Sequence, residues 1–260
     1  MLNLVKNNPL ILILRKIKYE RKFRNNKDLN LFKGVFSSYQ SAFDSIPSEL
    51  LNSYDNESSA KMYKHLCSEV FPSDYANMFW LSQLIRDESK VFDLGGHIGV
   101  KYYSYQQYFN FPESINWTVF DTSSAIEEGK KFANQKGEHR LKFSEKIDEF
   151  DDHDILFVSG ALQYIDINLS DIISKKASKP KFVLITLPLT QHESFYTINN
   201  LGTACCVYIV RNENEFIKSF EDIGYEKKDD WNIPAKYCEI PFFEKYSLEN
   251  YRGLLFEFTD

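Results

Sequence analysis

The chain contains 260 residues, of which 43% are hydrophobic and 16% are aromatic. This is enough apolar material for a packed core, so the composition excludes a disordered or fibrous protein. The net charge of −6 is unevenly distributed, because residues 1–40 carry nine basic and two acidic side chains whereas residues 41–260 carry 22 basic and 35 acidic ones. We therefore predict that the acidic body binds no nucleic acid. The four cysteines and five histidines show no metal-ligand spacing, so we also predict no metal.

The basic N-terminal segment is the first feature along the chain. We predict that residues 1–56 form a basic arm and that residues 57–260 form the main domain. The apolar run Leu10–Leu14 is far shorter than the roughly 20 residues that span a bilayer. Two interpretations stay open: residues 1–25 pack on the body, or they lie on the anionic cytoplasmic face of an inner membrane. The basic side chains expected near the lipid headgroups are Arg15, Lys16, Lys18, Arg21, Lys22 and Arg24. Because no secretory signal pattern is present, we predict a cytoplasmic protein.

From residue 57 onward, helical and strand patterns alternate. Two helices are predicted between residues 57 and 89, with a break at Pro72. The strands predicted after them are Val91–Leu94, Asn116–Asp121, Leu141–Phe143, Asp154–Ser159, Lys181–Leu187 and Tyr251–Phe258, and the helices are Val100–Tyr108, residues 122–134 and residues 213–223. This alternation predicts an α/β, Rossmann-like fold with a mostly parallel, doubly wound sheet, an antiparallel strand at its C-terminal end and an N-terminal helical extension. Residues 188–206 are predicted to be a loop.

A glycine cluster follows the first of these strands in the run "KVFDLGGHIGV". Glycines behind a buried strand mark a turn where the backbone comes close to a ligand, and ligands of such sheets bind at the carboxyl ends of the strands. A dinucleotide would require G-x-G-x-x-G, but His97 and Val100 stand at the second and third glycine positions counted from Gly95. S-adenosylmethionine has no phosphate and needs an acceptor for its ammonium group, close backbone approach and a carboxylate for its ribose diol. Asp93, the glycine turn and Asp121 supply these three features.

The run "VFDLGGHIG" resembles motif I of the class I S-adenosylmethionine-dependent methyltransferases, with Asp93, Gly95 and Gly99 at matching positions. His97 stands where a middle glycine is common, so its side chain either weakens cofactor binding or serves it. The runs "FKGVFSSYQSA", "LGGHIGVKYYSY", "FANQKGEHRLKF", "SGALQYID" and "YRGLLFEF" resemble a family of methyltransferases found with bacterial surface-polysaccharide genes. That resemblance implies a metal-independent O-methyltransferase of O-antigen or capsule biosynthesis. The alternative is an inactive binding or scaffold protein of the same pathway.

The resemblance and the strand ends together define the candidate site. The residues expected at the cofactor are Asp93, Gly95, Gly96, His97, Gly99, Asp121, Thr122, Phe143, Ser144, Ser159 and Gly160. Those expected at the acceptor are Tyr102, Tyr103, Gln163, Tyr164, Gln191 and His192. We expect the acceptor to be a sugar, a nucleotide-sugar or a lipid-linked glycan bound beside residues 188–206. His192 is the favoured general base, and His97 and Tyr164 are the alternatives.

Overall fold

A computed structural model describes residues 9–50, 54–56, 59 and 63–259. Residues 57, 58 and 60–62 of the first helix predicted after residue 57, and residues 1–8 of the basic segment, lie outside the described residues. Between residues 63 and 71 the predicted α-helix is wrong, because this part of the chain forms only a 3₁₀ helix, Lys64–Ser68. The strands are β1 (Leu31–Phe36), β2 (Lys90–Leu94), β3 (Asn116–Phe120), β4 (Leu141–Ser144), β5 (Ile155–Ser159), β6 (Phe182–Leu187), β7 (Leu189–Thr190), β8 (Phe195–Asn200), β9 (Cys205–Asn212), β10 (Tyr225–Ile233) and β11 (Tyr251–Phe258). The α-helices are α1 (Pro9–Arg24), α2 (Tyr39–Phe43), α3 (Tyr75–Leu84), α4 (Val100–Tyr105), α5 (Ser123–Lys136), α6 (Leu169–Ser174) and α7 (Glu213–Glu221).

The main sheet has seven strands in the order β10-β11-β6-β5-β2-β3-β4. Strands β2 to β6 pair in parallel, whereas β11 pairs antiparallel with both β6 and β10. The apolar run of β5 is buried along most of its length, because helices cover both faces of such a sheet. The predicted fold class is therefore confirmed.

The strand order reverses at β2. The chain passes from β2 to β3 and β4 on one side and to β5 and β6 on the other. Adjacent connections therefore diverge at the carboxyl end of β2, and a crevice opens there between the ends of β2, β3 and β5.

A second sheet with the order β1-β8-β9-β7 was not predicted from the sequence. The prediction that residues 188–206 form a loop is wrong, because this segment contains β7, β8 and the start of β9. The polar side chains of β8 are buried and bonded, whereas residues 191–194 between β7 and β8 are exposed. Thr197 Oγ1 donates to the carbonyl of Lys33 at 3.2 Å, and Asn200 Nδ2 donates to the carbonyl of Phe23 at 2.7 Å. The polarity of β8 therefore belongs to a buried strand rather than to a surface loop.

The N-terminal segment joins this second sheet. Strand β1 pairs antiparallel with β8, and Tyr19 in α1 donates a 2.6 Å hydrogen bond to the carbonyl of Phe32. Phe23 is fully buried, so the C-terminal half of α1 is anchored on the body. The boundary predicted after residue 56 separates β1 from β8, although the two strands belong to one sheet. The division into an arm and a main domain stays a prediction. No described helix is both long and apolar enough to cross a bilayer.

One half-buried side chain, Tyr164, links the two sheets. Tyr164 lies in a 3₁₀ turn (Leu162–Tyr164) after β5, and its hydroxyl donates to Oδ1 of Asn199 in β8 at 2.8 Å. Asn199 is fully buried and donates in turn to Oδ1 of Asn30 at 2.6 Å. The main sheet, the second sheet and the N-terminal segment therefore share one hydrogen-bonded chain.

Removing the Tyr164 hydroxyl tests this link. Tyr164→Phe leaves Oδ1 of Asn199 buried without its donor, so we expect the free energy of unfolding to fall by about 1–3 kcal/mol. Tyr108→Phe is the matched control at a tyrosine that is 59% exposed, and it should change that free energy by less than about 0.5 kcal/mol. Urea denaturation measures both variants, and equal effects would contradict the linking role.

Candidate functional site

A cavity of about 880 Å³ opens at the carboxyl ends of β2, β3 and β5. The main sheet and its loops contribute Asp93, Gly95, Gly96, His97, Val100, Lys101, Phe120, Asp121, Thr122, Ser159, Gly160, Ala161, Tyr164, Ile165 and Lys236. The second sheet and the N-terminal segment contribute Tyr39, Phe43, Ile46, Tyr54, Tyr63, Leu66, Leu201, Cys205, Cys206 and Val207. One wall is therefore polar and built on strand ends, and the other is mostly aromatic and aliphatic, as in small-molecule sites.

The glycine turn brings the ends of β2 and β5 together. Gly95 has a φ of +80°, and a Cβ at this position would lie 2.0 Å from Cβ of Ala161. A Cβ on Gly96 would lie 2.4 Å from the carboxylate of Asp93. Neither position has room for a side chain, so the glycines are required for the close approach of backbone to neighbouring strands.

Asp93 is a buried carboxyl group at the end of β2. It is 1% exposed, and its Oδ2 accepts a 3.1 Å hydrogen bond from Nε1 of Trp117 in β3. Burial raises the pKa of Asp93 to about 7, and the negative charge of Asp121 acts in the same direction. The carboxyl group therefore titrates near neutrality at the edge of the cavity.

Asp121 follows β3 and is bonded directly to the glycine turn. Its Oδ2 accepts from the backbone N–H of His97 at 2.9 Å, and its Oδ1 accepts from the backbone N–H of Thr122 at 2.8 Å. Burial raises its pKa, whereas the nearby imidazole, the two backbone donors and the Thr122 hydroxyl lower it. Because a carboxylate oxygen can accept more than one hydrogen bond, Asp121 keeps accepting capacity for a ligand.

His97 occupies the left-handed region with a φ of +56° and is 5% exposed. Its Nε2 lies 3.0 Å from the carbonyl oxygen of Ser59, and because a carbonyl only accepts, Nε2 carries the hydrogen. Burial lowers the pKa of His97, which keeps the ring neutral at neutral pH. Nδ1 is buried and has no hydrogen-bond partner among the described residues. The ring packs edge-on against Tyr63 at 5.0 Å between centroids.

Several predicted cofactor residues support the site from outside the cavity lining. Gly99 precedes α4 with a φ of +89°. Phe143 packs against Gly129, where its ring would lie 2.3 Å from an added Cβ. Ser144 is hydrogen-bonded to the backbone of Lys146. Their predicted contacts with the cofactor stay predictions.

The predicted acceptor residues divide between the core, the cavity and the surface. Tyr102 is fully buried in the hydrophobic core, and Tyr103 packs against helix α5. Gln163 lies just beneath the cavity and donates from Nε2 to the carbonyl of Gly160 at 2.6 Å. Tyr164 lines the cavity.

Gln191 and His192 do not line the cavity. They lie in the short connection between β7 and β8, where Gln191 donates to Glu213 at 2.6 Å and the carbonyl of His192 accepts from Asn212 at 2.8 Å. These contacts attach the connection to the start of α7. His192, the favoured general base, therefore lies outside the cavity lining, in a connection of the second sheet that the sequence did not predict.

Residues that the sequence did not indicate form much of the remaining lining. Tyr54 and Tyr63 come from the N-terminal side, and Cys206 comes from β9. Lys101 lies in the first turn of the helix after the glycine cluster. Its short distance from the glycines in the sequence could therefore have identified it as a lining residue. Lys236 lies far along the chain in the connection between β10 and β11, and no motif surrounds it. The described residues contain no grouping of three or more His, Cys, Asp or Glu side chains suited to a metal ion.

No family model and no curated protein sequence matches the chain. Solved structures do match. A 1,6-didemethyltoxoflavin-N1-methyltransferase from Burkholderia thailandensis with bound S-adenosylhomocysteine is 14% identical, with 88% of this chain and 93% of that chain covered at a TM-score of 0.52. An S-adenosylmethionine-dependent methyltransferase from Clostridium acetobutylicum is 12% identical, and the match covers 76% of this chain and 96% of that chain at a TM-score of 0.51. The [4+2]-cyclase SpnF is 13% identical, and the match covers 70% of this chain and 79% of that chain, also at a TM-score of 0.51. The chain therefore has the Rossmann-like class I methyltransferase fold.

Ionisation of Asp93 should make the stability of the fold depend on pH. Its pKa is raised from 3.8 to about 7 on folding, so the stability it contributes at low pH is lost as the pH rises through about 7. The Asn side chain of Asp93→Asn cannot ionise, and its oxygen still accepts from Trp117. We therefore expect the free energy of unfolding of this variant to exceed that of wild type by about 1–3 kcal/mol at about pH 8, and by a smaller amount at about pH 5. Asp28→Asn, at an exposed carboxylate, is the control. Urea titrations across this range test the expectation, and a difference that does not change with pH would contradict it.

Proposed function

We propose that the chain is an S-adenosylmethionine-dependent methyltransferase that acts without a metal. The observation that carries this proposal is the joint position of the glycine turn and the Asp121 carboxylate on one cavity, at the strand ends where the order of the sheet reverses. The fold of the chain and the S-adenosylhomocysteine in one structural neighbour support it.

The residues of the cavity fit the proposed cofactor. The Asp121 carboxylate suits a ribose diol, and the glycine turn, where a side chain on Gly95 or Gly96 would clash with its neighbours, suits close approach of the backbone to a ligand. Gly160 borders open space, since an added Cβ would meet only Nζ of Lys236 at 3.7 Å and Nε2 of Gln163 at 3.8 Å. When bound, the cofactor supplies an electrophilic methyl group on a cationic sulfur. The volume of about 880 Å³ suits a nucleoside-sized ligand together with a small acceptor.

The chain itself must align the acceptor and exclude water. An aromatic wall formed by Tyr39, Tyr54 and Tyr63 lines the cavity, and Tyr63 packs against the ring of His97 in the glycine turn. Holding an acceptor atom between this wall and Gly160 converts the transfer into an effectively unimolecular step. An enclosed site of this kind also keeps water from the methyl group.

We assign the general-base role to His97 rather than to His192. His97 lines the cavity, is neutral at neutral pH and has an unpartnered Nδ1, so it can take a proton from an acceptor hydroxyl. Burial raises the pKa of Tyr164 well above 10, so this phenol stays protonated. His192 does not line the cavity, which makes it less suited to this role.

For the acceptor, we propose a sugar or a sugar-linked intermediate of bacterial surface-polysaccharide assembly. Support comes from the sequence runs that resemble methyltransferases of such gene clusters and from an aromatic wall on which a sugar ring can stack. The alternative is a binding or scaffold protein that keeps the pocket without methyl transfer. The side chain of His97 in the position of the middle glycine favours that alternative, and the cyclase SpnF has a similar fold.

Cofactor binding is the first measurement of this function. We expect calorimetric titration with S-adenosylhomocysteine to detect binding to wild type, and Asp121→Ala to weaken it by about 1–3 kcal/mol because a charge-assisted hydrogen bond is lost. Asp28→Ala should bind like wild type. Thermal unfolding of each variant verifies that it is folded. Absence of binding to wild type at millimolar ligand would contradict the methyltransferase assignment.

We also propose that α1 attaches the protein to an anionic membrane surface. Ile13, Leu14 and Ile17 are 52%, 65% and 46% exposed. Basic residues of the same helix are also exposed and include Lys18, Arg21 and Lys22. Exposed aliphatic side chains beside basic ones suit the headgroup region of anionic lipid.

Flotation with lipid vesicles tests the membrane proposal. We expect wild type to float with vesicles that contain phosphatidylglycerol and to be released by high salt. The triple variant Ile13→Gln, Leu14→Gln, Ile17→Gln should bind at least about tenfold more weakly, since three aliphatic side chains no longer insert. Phe71→Gln, Tyr75→Gln, Phe79→Gln alters another exposed apolar surface and serves as the control. Equal flotation of wild type and both variants would contradict the proposal.

A further inference from the structure

Lys236 is a half-buried lysine on the cavity that no part of the proposed mechanism uses. It lies in the connection between β10 and β11, where its carbonyl accepts a 3.0 Å hydrogen bond from the N–H of Tyr251. Its Nζ is 3.7 Å from the place of a Cβ on Gly160, at the carboxyl end of β5. The fold therefore holds this ammonium group at the cavity, beside the strand end where the acceptor is proposed to lie.

The other charged groups of the cavity already have partners. Nζ of Lys101 pairs with Oδ1 of Asp74 at 2.6 Å. Asp93 accepts from Trp117, and Asp121 accepts from two backbone amides. By contrast, Lys236 has no hydrogen-bond or ion-pair partner among the described residues.

An unpaired, partly desolvated ammonium group is costly for a fold to maintain. Burial lowers the pKa of Lys236 and the positive charge of Lys101 lowers it further, whereas the negative charge of Asp74, which is paired with Lys101, opposes them only in part. A bound anion would offset both effects, because an opposite charge at hydrogen-bonding distance favours the charged amine. The cavity therefore has one cation whose natural complement is a negatively charged group of a ligand.

The topology indicates which ligand supplies that group. Asp121 follows β3, whereas β10 and β11 lie at the other end of the sheet, beyond β5 and β6. Lys236 thus reaches Gly160 from the side opposite to the carboxylate proposed for the ribose. A ligand that extends from Gly160 toward Lys236 extends away from the proposed nucleoside.

We propose that Lys236 binds a carboxylate or phosphate group of the acceptor, so that the substrate of this protein is an acidic molecule. This inference rests on the proposed function, because it takes the Gly160 side of the cavity as the acceptor side. It restricts the acceptor to compounds such as acidic sugars or phosphate-bearing intermediates. An amine on this side attracts such compounds by direct charge pairing.

Inorganic phosphate is the probe for this site. Binding is measured by calorimetry at constant ionic strength, for wild type saturated with S-adenosylhomocysteine and for the free protein. We expect wild type to bind phosphate saturably. Lys236→Met should weaken this binding by at least about tenfold, since a charge-assisted hydrogen bond is lost. Lys236→Arg should keep the affinity within about threefold of wild type. Lys142→Met, at an exposed lysine of β4, is the control. No saturable binding, equal binding by Lys236→Met, or no retention by Lys236→Arg would overturn the proposal.

A second arm separates the acceptor from the cofactor, whose methionine end also carries a carboxylate. S-adenosylhomocysteine and methylthioadenosine, which lacks that carboxylate, are titrated into wild type and Lys236→Met. We expect Lys236→Met to leave both affinities within about threefold of wild type. Selective weakening of S-adenosylhomocysteine, or displacement of phosphate by it, would assign Lys236 to the cofactor and overturn the acceptor assignment. Failure of wild type to bind either nucleoside would contradict the proposed function itself, whereas phosphate binding that depends on Lys236 would persist.

Discussion

The parallel pairing of β2 with both β3 and β5 is the constraint on which the rest of the structure depends. It fixes three strand ends within one crevice and forces their connections to diverge. The glycine turn then follows from sterics, because a side chain on Gly95 would clash with Ala161, two residues after β5, and one on Gly96 would clash with the carboxylate of Asp93. Asp121 closes the arrangement by accepting from the backbone of the same turn. The polar half of the cavity is thus determined by backbone geometry rather than by flexible side chains.

The second sheet and α2 line one part of this crevice. Cys205, Cys206 and Val207 come from β9, and Tyr39 and Phe43 come from α2. The sheet is held by buried amides such as Asn199 and Asn200, which bond to the N-terminal segment. Residues far apart in the chain therefore depend on one another: α1 and β1 have no sheet to join without β8.

The main sheet and its polar residues could be predicted from the sequence, because apolar strands and a glycine turn each have a distinct local pattern. Asp93 and Asp121 were identifiable since each ends a strand. The second sheet was not identifiable, because β8 is rich in Thr and Asn side chains whose burial depends on partners about 165 residues distant. Local polarity resembles that of a loop until those partners are known. For the same reason His192 was expected at the site and Lys236 was not.

A crystal structure of the protein with S-adenosylhomocysteine shows directly where a nucleoside binds, and this position decides the proposed function. We predict ribose hydroxyls within hydrogen-bonding distance of the Asp121 carboxylate, with the sulfur beside Gly160. A nucleoside bound outside the crevice between β2, β3 and β5, or one whose ribose lies away from Asp121, would contradict the proposed function.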